Sequence, residues 1–354
     1  MARHYTDIDP ELMQIFRQGA VIPAHPLALD ADRRFDRRRQ RALTRYYVDA
    51  GVGGLAVGVH TTQFAIREKG YYETVLKAAI EDSRDWTDRP LFMVAGIAGQ
   101  TEQALNEARK AVELGYHAGL VSLSALKDAD TDTLIAHCEK VSAEIPIIGF
   151  YMQTAVGGIE LDASFWERFG RIDNAIGIKA APFNRYRTLD VMRGIVAAGA
   201  EDRITLYTGN DDHIVADLLT PFVVRRDGRS VTVRFRGGLL GHWSVWTRRA
   251  VQLLERIHAA VDGDGSLDTE LLALDSRVTD CNAAFFDVAN DFHGCIAGCH
   301  EVLRRQGLLD GIWCLDLAEG LGPGQSREIS RVYAEHPDLS DDDFVRENLE
   351  RWLS

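Results

Sequence analysis

Apolar and polar positions along this chain fall into alternating blocks. Short runs rich in Val, Ile, Leu and Gly are followed by stretches whose apolar residues recur every three or four positions. The first kind reads as a strand buried on both faces, the second as an amphipathic helix. The strand runs are GAVIPAH (19–25), GGLAVGV (53–59), PLFMVAGI (90–97), AGLVSLS (118–124), IPIIGFY (145–151), AIGIK (175–179), RITLYTG (203–209) and SVTVRFRGGLL (230–240). The pattern predicts helices over 31–50, 67–83, 101–115, 131–144, 161–170, 186–199 and 211–219, and one more from about 244 to 260. In the third helix Thr101 is the expected cap, Ala104, Leu105, Ala108 and Val112 form the apolar stripe, and Gly115 stops the helix.

Eight strand–helix repeats in about 260 residues predict a (β/α)8 TIM barrel. A doubly wound sheet is the rival, but the first strand runs into VIPAHPLALD, which is not a Gly-rich phosphate loop, and GIAG at 96–99 is an incomplete one. Past residue 261 the pattern is helical without strands. The expected organisation is therefore a barrel over 1–260 and a C-terminal helical extension over 261–354 packed on it.

In such a barrel the chemistry sits where strands end, at the C-terminal face. Strand two ends in VHTTQ (59–63), strand five in Tyr151, strand six in Lys179 and strand seven in TGNDD (208–212). Lys179 is the unusual one, because an apolar run finishing on an ammonium group places a charge where burial is costly. A lysine in an apolar pocket is depressed in pKa and attacks carbonyl carbon. The protonated imine it forms is an electron sink for C–C cleavage, C–C formation or dehydration. A tyrosine hydroxyl serves as a proton shuttle for such chemistry, and Tyr151 stands on the neighbouring strand. The bland alternatives are a lysine reaching solvent and a core tyrosine with a satisfied hydroxyl.

These stretches resemble the dihydrodipicolinate synthase / N-acetylneuraminate lyase family of class I, Schiff-base lyases. That family carries a G-T-T-G-E turn after strand two, a strand-five tyrosine in a Y-N-x-P context and G-I-K on strand six. Here GFYMQTAVGG supplies a tyrosine and AIGIK the lysine, 28 residues apart. LYTGNDD resembles the family's S-G-D-D, and GGLLGHWSVWT its Gly-rich strand-eight stretch. The likeness runs from about residue 15 to 310. It implies an imine at Lys179, a proton shuttle at Tyr151, and Thr61 and Thr62 as holders of a 2-oxo acid carboxylate. The expected catalytic set is thus Lys179, Tyr151 and Thr62, with Thr61, His60, Gln63 and Gly209 binding substrate. No metal and no organic cofactor is implied, and a homotetramer or homodimer is. The sequence also departs from the family. VHTTQ replaces G-T-T-G-E, the tyrosine after strand four is absent from VSLSALKD, and Val156 stands where dihydrodipicolinate synthases carry an arginine. The resemblance therefore implies the shared half-reaction with pyruvate or another 2-oxo acid rather than one named product.

Composition narrows the partners. With 46% hydrophobic and 26% charged residues the chain reads as a globular protein, and its net charge of -13 opposes nucleic acid or anionic membrane as the main partner. No window suits a transmembrane helix, and MARHYTDIDPELMQIF lacks the apolar core of a signal peptide. Five cysteines, four of them after residue 280, do not form a disulfide framework, so a cytoplasmic setting is expected. His293, Cys295, Cys299 and His300 lie close together, but their spacing matches no usual zinc motif and Gly294, Ala297 and Gly298 suit tight helix packing. The basic cluster at 30–41 is punctuated by acids and reads as a solvated or salt-bridged helix face.

The sequence thus predicts a Schiff-base lyase acting on a 2-oxo acid by aldol-type cleavage or condensation, or by dehydration of a sugar-acid-like substrate. One rival is a barrel in which Lys179 only binds an anion. Another is a catalytically silent member acting as a ligand-binding or regulatory protein.

Overall fold

The apolar blocks become strands in the computed structural model, which describes residues 2–263 and 268–354; residues 264–267 of the expected extension lie outside them. In chain order the strands are β1 (Val21–Pro23), β2 (Gly54–Val57), β3 (Phe92–Ile97), β4 (Ala118–Val121), β5 (Ile147–Met152), β6 (Ala175–Ala181), β7 (Thr205–Thr208), β8 (Phe222–Arg226), β9 (Arg229–Val233) and β10 (Phe235–Leu240). All but β8 and β9 belong to one eight-stranded parallel set with helices between successive strands, the (β/α)8 barrel.

The stretch 230–240, expected as one strand, is two. Asp227 and Gly228, both at positive φ (50° and 76°), turn β8 back on β9 as an antiparallel hairpin, and only β10 joins the barrel set. Aspartate and glycine tolerate the left-handed backbone that a two-residue hairpin requires. The residues of β8 alternate between half-buried and exposed, the mark of a ribbon with one face in water, whereas five of the six β10 residues are buried.

The chain divides into two compact units. One comprises Met1–Ala20 and Phe92–Leu239, the other Val21–Leu91 and Leu240–Ser354. In the first unit β10, β7, β6, β5, β4 and β3 are successive neighbours. A helix the sequence pattern did not mark, Pro10–Gln18, also belongs to it. Asp9 caps that helix and Pro10 sits in its first turn, where a missing N–H costs nothing. Its Phe16 stacks on Phe92 and Tyr207, with ring centroids 4.5 and 5.0 Å apart, and the Tyr207 hydroxyl donates to the Phe16 carbonyl at 2.8 Å. Phe16 thereby fills the inner face of this unit. Gly177 on β6 allows it, since a Cβ there would lie 2.8 Å from the Phe16 ring.

The second unit holds β1, β2, the helix Arg37–Ala50 and the C-terminal helices. Helix Arg37–Ala50 starts six residues later than the pattern predicted, because the Asp36 side chain accepts from the Arg39 N–H and caps it there. The basic cluster is paired within the chain: Arg37 with Asp82 (2.7 Å), Arg34 with Asp30 (3.0 Å) and Arg39 with Asp310. The last helix, Asp342–Leu353, packs on Arg37–Ala50, where Trp352 Nε1 donates to Asp49 at 2.6 Å. Beside it the Tyr46 hydroxyl donates to the buried Asp341 at 2.7 Å. Among the described residues no helix is long and apolar enough to cross a membrane.

Candidate active site

Lys179 does not end its strand. β6 runs two residues further, and Lys179 is only 7% exposed. The parallel register sets it beside Phe150 on β5 and Tyr207 on β7. Side chains at one register level of a pleated sheet share a face. Accordingly, Lys179 Nζ lies 4.3 Å from the centroid of the Phe150 ring, over its π face. That contact offsets part of the cost of desolvating an ammonium group. Gly209, just past β7, makes room for the lysine stem: a Cβ there would be 2.7 Å from Lys179 Cε and 3.0 Å from Cγ. Gly209 was expected to bind substrate. Its observed contact is with Lys179.

Beyond this lysine the loops are pinned by a buried carboxylate. Asp217 is fully buried and accepts from Thr208 Oγ1 at 2.7 Å and from Asn210 Nδ2 at 2.9 Å, while Arg185 pairs with its other oxygen. Asn210 in turn accepts from the Phe183 N–H at 3.0 Å, fixing Phe183 at a φ of 50°. Asp212, in the same loop, is held above the usual carboxylate range by burial.

Tyr151 is not brought to Lys179. It follows Phe150 on β5, and successive residues of a strand face opposite ways. Gly149, two residues before it, faces Phe169 and Trp166 of the helix Ala163–Gly170, and Tyr151 shares that face, its ring 5.4 Å from that of Trp166. Its hydroxyl accepts from the Leu161 N–H at 3.1 Å, and burial raises its pKa. Phe150 thus occupies the place beside the lysine where the resemblance implied a phenol. GFY offers two adjacent aromatics, and only register decides which of them faces the lysine. On β4's continuation, the Ser122 and Ser124 hydroxyls lie 2.6 Å apart and bond to each other.

In the other unit the turn after β2 carries His60, Thr61, Thr62 and Gln63. Thr62 is fully buried and committed to holding the turn. Its hydroxyl donates to the His25 carbonyl at 2.7 Å and accepts from the Gly58 N–H at 3.0 Å, and its own N–H donates to Val59 at 3.0 Å. No Thr62 donor is left for a substrate carboxylate, which corrects the role expected of it. Thr61 is buried as well. The His60 ring meets Phe64 edge-on at 5.9 Å and is half-buried, in keeping with a wall. Gln63 stands at a φ of 70° and accepts from the Leu315 N–H at 2.6 Å.

Sequence reasoning missed His25. It is fully buried at the end of β1, with Nε2 2.9 Å from Thr44 Oγ1 and Nδ1 2.9 Å from Gln40 Nε2. Burial lowers its pKa to about 4, so it is neutral at pH 7. The histidine in VIPAHP and the Gln40–Thr44 pair one helical turn apart were the visible hints.

Among the described residues the group of potential metal ligands that converges is Asp280, Glu335 and His336, and Arg331 already pairs with Asp280 and Glu335. Cys295, Cys299 and His300 are buried but do not form such a group.

Comparison with known proteins points one way. The profile of the Dihydrodipicolinate synthetase family matches residues 18–222. A 4-hydroxy-tetrahydrodipicolinate synthase of Persephonella marina is 23% identical over 182 residues, 49% of this chain and 61% of that protein. A probable 5-dehydro-4-deoxyglucarate dehydratase of Streptomyces coelicolor is 28% identical over 191 residues, 52% of this chain and 56% of that protein. The chain therefore covers less than two thirds of either relative's length. Among solved structures, the pyruvate complex of the Acinetobacter baumannii dihydrodipicolinate synthase superposes with a TM-score of 0.71 at 16% identity, covering 90% of this chain and 98% of that one. YagE of E. coli K12, also solved with pyruvate, gives 0.71 at 18% identity, covering 90% and 98%.

Proposed function

Because this chain belongs to the dihydrodipicolinate synthetase family, we propose that it is a class I lyase whose Lys179 condenses with pyruvate or another 2-oxo acid. The observation that carries this reading is the lysine itself: buried, on the sixth barrel strand, its stem against Gly209 and its amine over the Phe150 ring. A lysine without purpose rarely stays in such surroundings.

In the proposed reaction the neutral amine donates its lone pair to the keto carbon. The carbinolamine then loses its hydroxyl as water, and a protonated imine remains. Loss of a proton from the adjacent carbon, or scission of the bond beyond it, leaves the electron pair in the imine as an enamine. Condensation, cleavage or dehydration of a sugar-acid-like substrate follows from that intermediate. With Tyr151 on the face of β5 away from Phe150 and Lys179, this reading assigns the proton transfer to the substrate or to another hydroxyl. A cytoplasmic homotetramer or homodimer, with a barrel over 1–260 and a helical extension beyond, completes the reading.

One observation favours a second reading. A phenylalanine beside the lysine suits a protein that binds 2-oxo acids as imines and turns none over. Incubation with pyruvate in D2O separates the two. Exchange of the methyl protons, followed by NMR and lost in Lys179→Ala, supports the lyase. Borohydride-trapped adduct without exchange supports the binding protein. Neither adduct nor exchange with any of a panel of 2-oxo acids would remove both.

A further inference from the structure

We propose that the unit formed by Val21–Leu91 and Leu240–Ser354 carries a ligand site of its own: a cleft between the helices Thr247–Asp262 and Thr269–Phe285 that takes a small aromatic carboxylate. The site goes beyond the lyase reading and stands whether or not Lys179 forms an imine.

Two helix faces make the cleft. From its cap, Trp246, the first helix places Arg249, Ala250, Leu253 and Arg256 at intervals of three or four, and the second does so with Leu274, Val278 and Cys281. That spacing puts each set on one face of its helix. The two faces line an open cleft of about 170 Å³, and Trp243, Trp246, Leu253, Leu274, Val278 and Leu339 form its apolar part. An apolar cavity of about 150 Å³ accepts benzene, so one six-membered ring fits. The indoles of Trp243 and Trp246 offer such a ring stacked or edge-on contact.

The polar part of the lining leaves an uncompensated positive charge. Arg249 donates to the Ser340 carbonyl at 3.1 Å and to Gln252 Oε1 at 2.9 Å, both neutral acceptors. Arg256 is exposed, and among the described residues it has no ion-pair partner. The one carboxylate of the lining, Asp338, is paired with Arg277. His242 adds no charge at pH 7, because burial lowers its pKa to about 4. Two guanidinium groups without a counter-ion, on a chain of net charge -13, suit an anion, and their planar fork matches a carboxylate. The apolar part and the arginines together select a ring bearing one carboxylate. An anion as small as pyruvate leaves the apolar part unfilled.

The test is calorimetric titration of benzoate, and of benzyl alcohol as the uncharged ring, into the full chain and three variants. Benzoate has no ketone and forms no imine. The wild type should bind it at one site per chain with a Kd of about 1 mM or lower, and with a change in tryptophan emission. Leu253→Trp enlarges a half-buried side chain into the cleft and should raise the Kd of both compounds at least about tenfold. Arg256→Glu alters only the surface, so it folds even if the tryptophan variant does not. It should weaken benzoate by about tenfold and leave benzyl alcohol unchanged. Lys179→Ala should bind benzoate as the wild type does. No binding to the wild type at about 10 mM benzoate, or a wild-type Kd in Arg256→Glu, overturns the site. Equal affinity for the two compounds overturns the choice of a carboxylate. Benzoate binding lost in Lys179→Ala assigns the anion to Lys179 and overturns the cleft.

Discussion

Replacing Gly209 with alanine tests the packing around Lys179 by adding one methyl group. The added Cβ would lie 2.7 Å from Lys179 Cε, 3.0 Å from its Cγ and 2.7 Å from Ala181 Cβ. Ordinary carbon–carbon contact begins near about 3.5 Å, so each pair must open by roughly half an ångström or more. The lysine stem can swing aside, but Ala181 Cβ is fixed to β6. Strand and loop must therefore part slightly, at about 1–3 kcal/mol for overpacking. Gly209 is not at positive φ, so no backbone strain confuses the result. The amine moves with its stem, and a displacement near 1 Å costs about 10²-fold in a reaction that depends on its position. Thermal melting together with the rate of borohydride trapping on pyruvate reads both effects. The expected outcome is a melting temperature a few degrees lower and trapping slowed by one to two orders of magnitude. Trapping at the wild-type rate with an unchanged melting temperature would refute the close approach of Gly209 to the lysine.

Other expectations follow from single contacts. Tyr151→Phe should leave trapping and proton exchange unchanged and lower stability by about 1–2 kcal/mol in denaturant titration, because the Leu161 N–H loses its acceptor. A large loss of exchange would restore Tyr151 as a shuttle. Asp217→Ala should destabilise by about 2 kcal/mol or more, since Thr208, Asn210 and Arg185 lose one shared acceptor, with Arg185 still partly in water. A variant as stable as the wild type in urea would contradict that network. His25, His242 and His300 are each lowered to about 4 by burial. The unfolded chain therefore takes up more protons than the folded one between about pH 6.5 and 4. Stability is full above pH 6.5 and falls on acidification, by at most about 1.4 kcal/mol per histidine per pH unit. Melting temperatures that hold flat from pH 7.5 to 5 would contradict the buried neutral state of these side chains.

The barrel was legible because strands buried on both faces and their covering helices write different periods into the chain. The period fixed where β3, β5 and β6 run to within a residue or two. It was blind to Pro10–Gln18, a helix of nine residues whose buried Met13 and Phe16 make one i, i+3 pair and no longer stripe. It merged β9 with β10, because a residue-level pattern does not reveal that a strand changes partners. Lys179 stood out because its chemistry clashes with its neighbours, and that clash is visible in sequence. Tyr151 misled because the facing of an aromatic is set by register, one residue either way, and the motif tolerates both readings. The engagement of Thr62 with His25, and of Gln63 with Leu315, depends on contacts across 37 and 252 positions, which no local pattern encodes.

The central claim is that one amine carries the chemistry. It is tested most directly by reducing the protein with borohydride in the presence of pyruvate, digesting it, and locating the added mass by fragmentation. The account predicts a single modified site, Lys179, in the peptide containing AIGIK. Label on a different lysine, or none on a folded protein at saturating pyruvate, would contradict it.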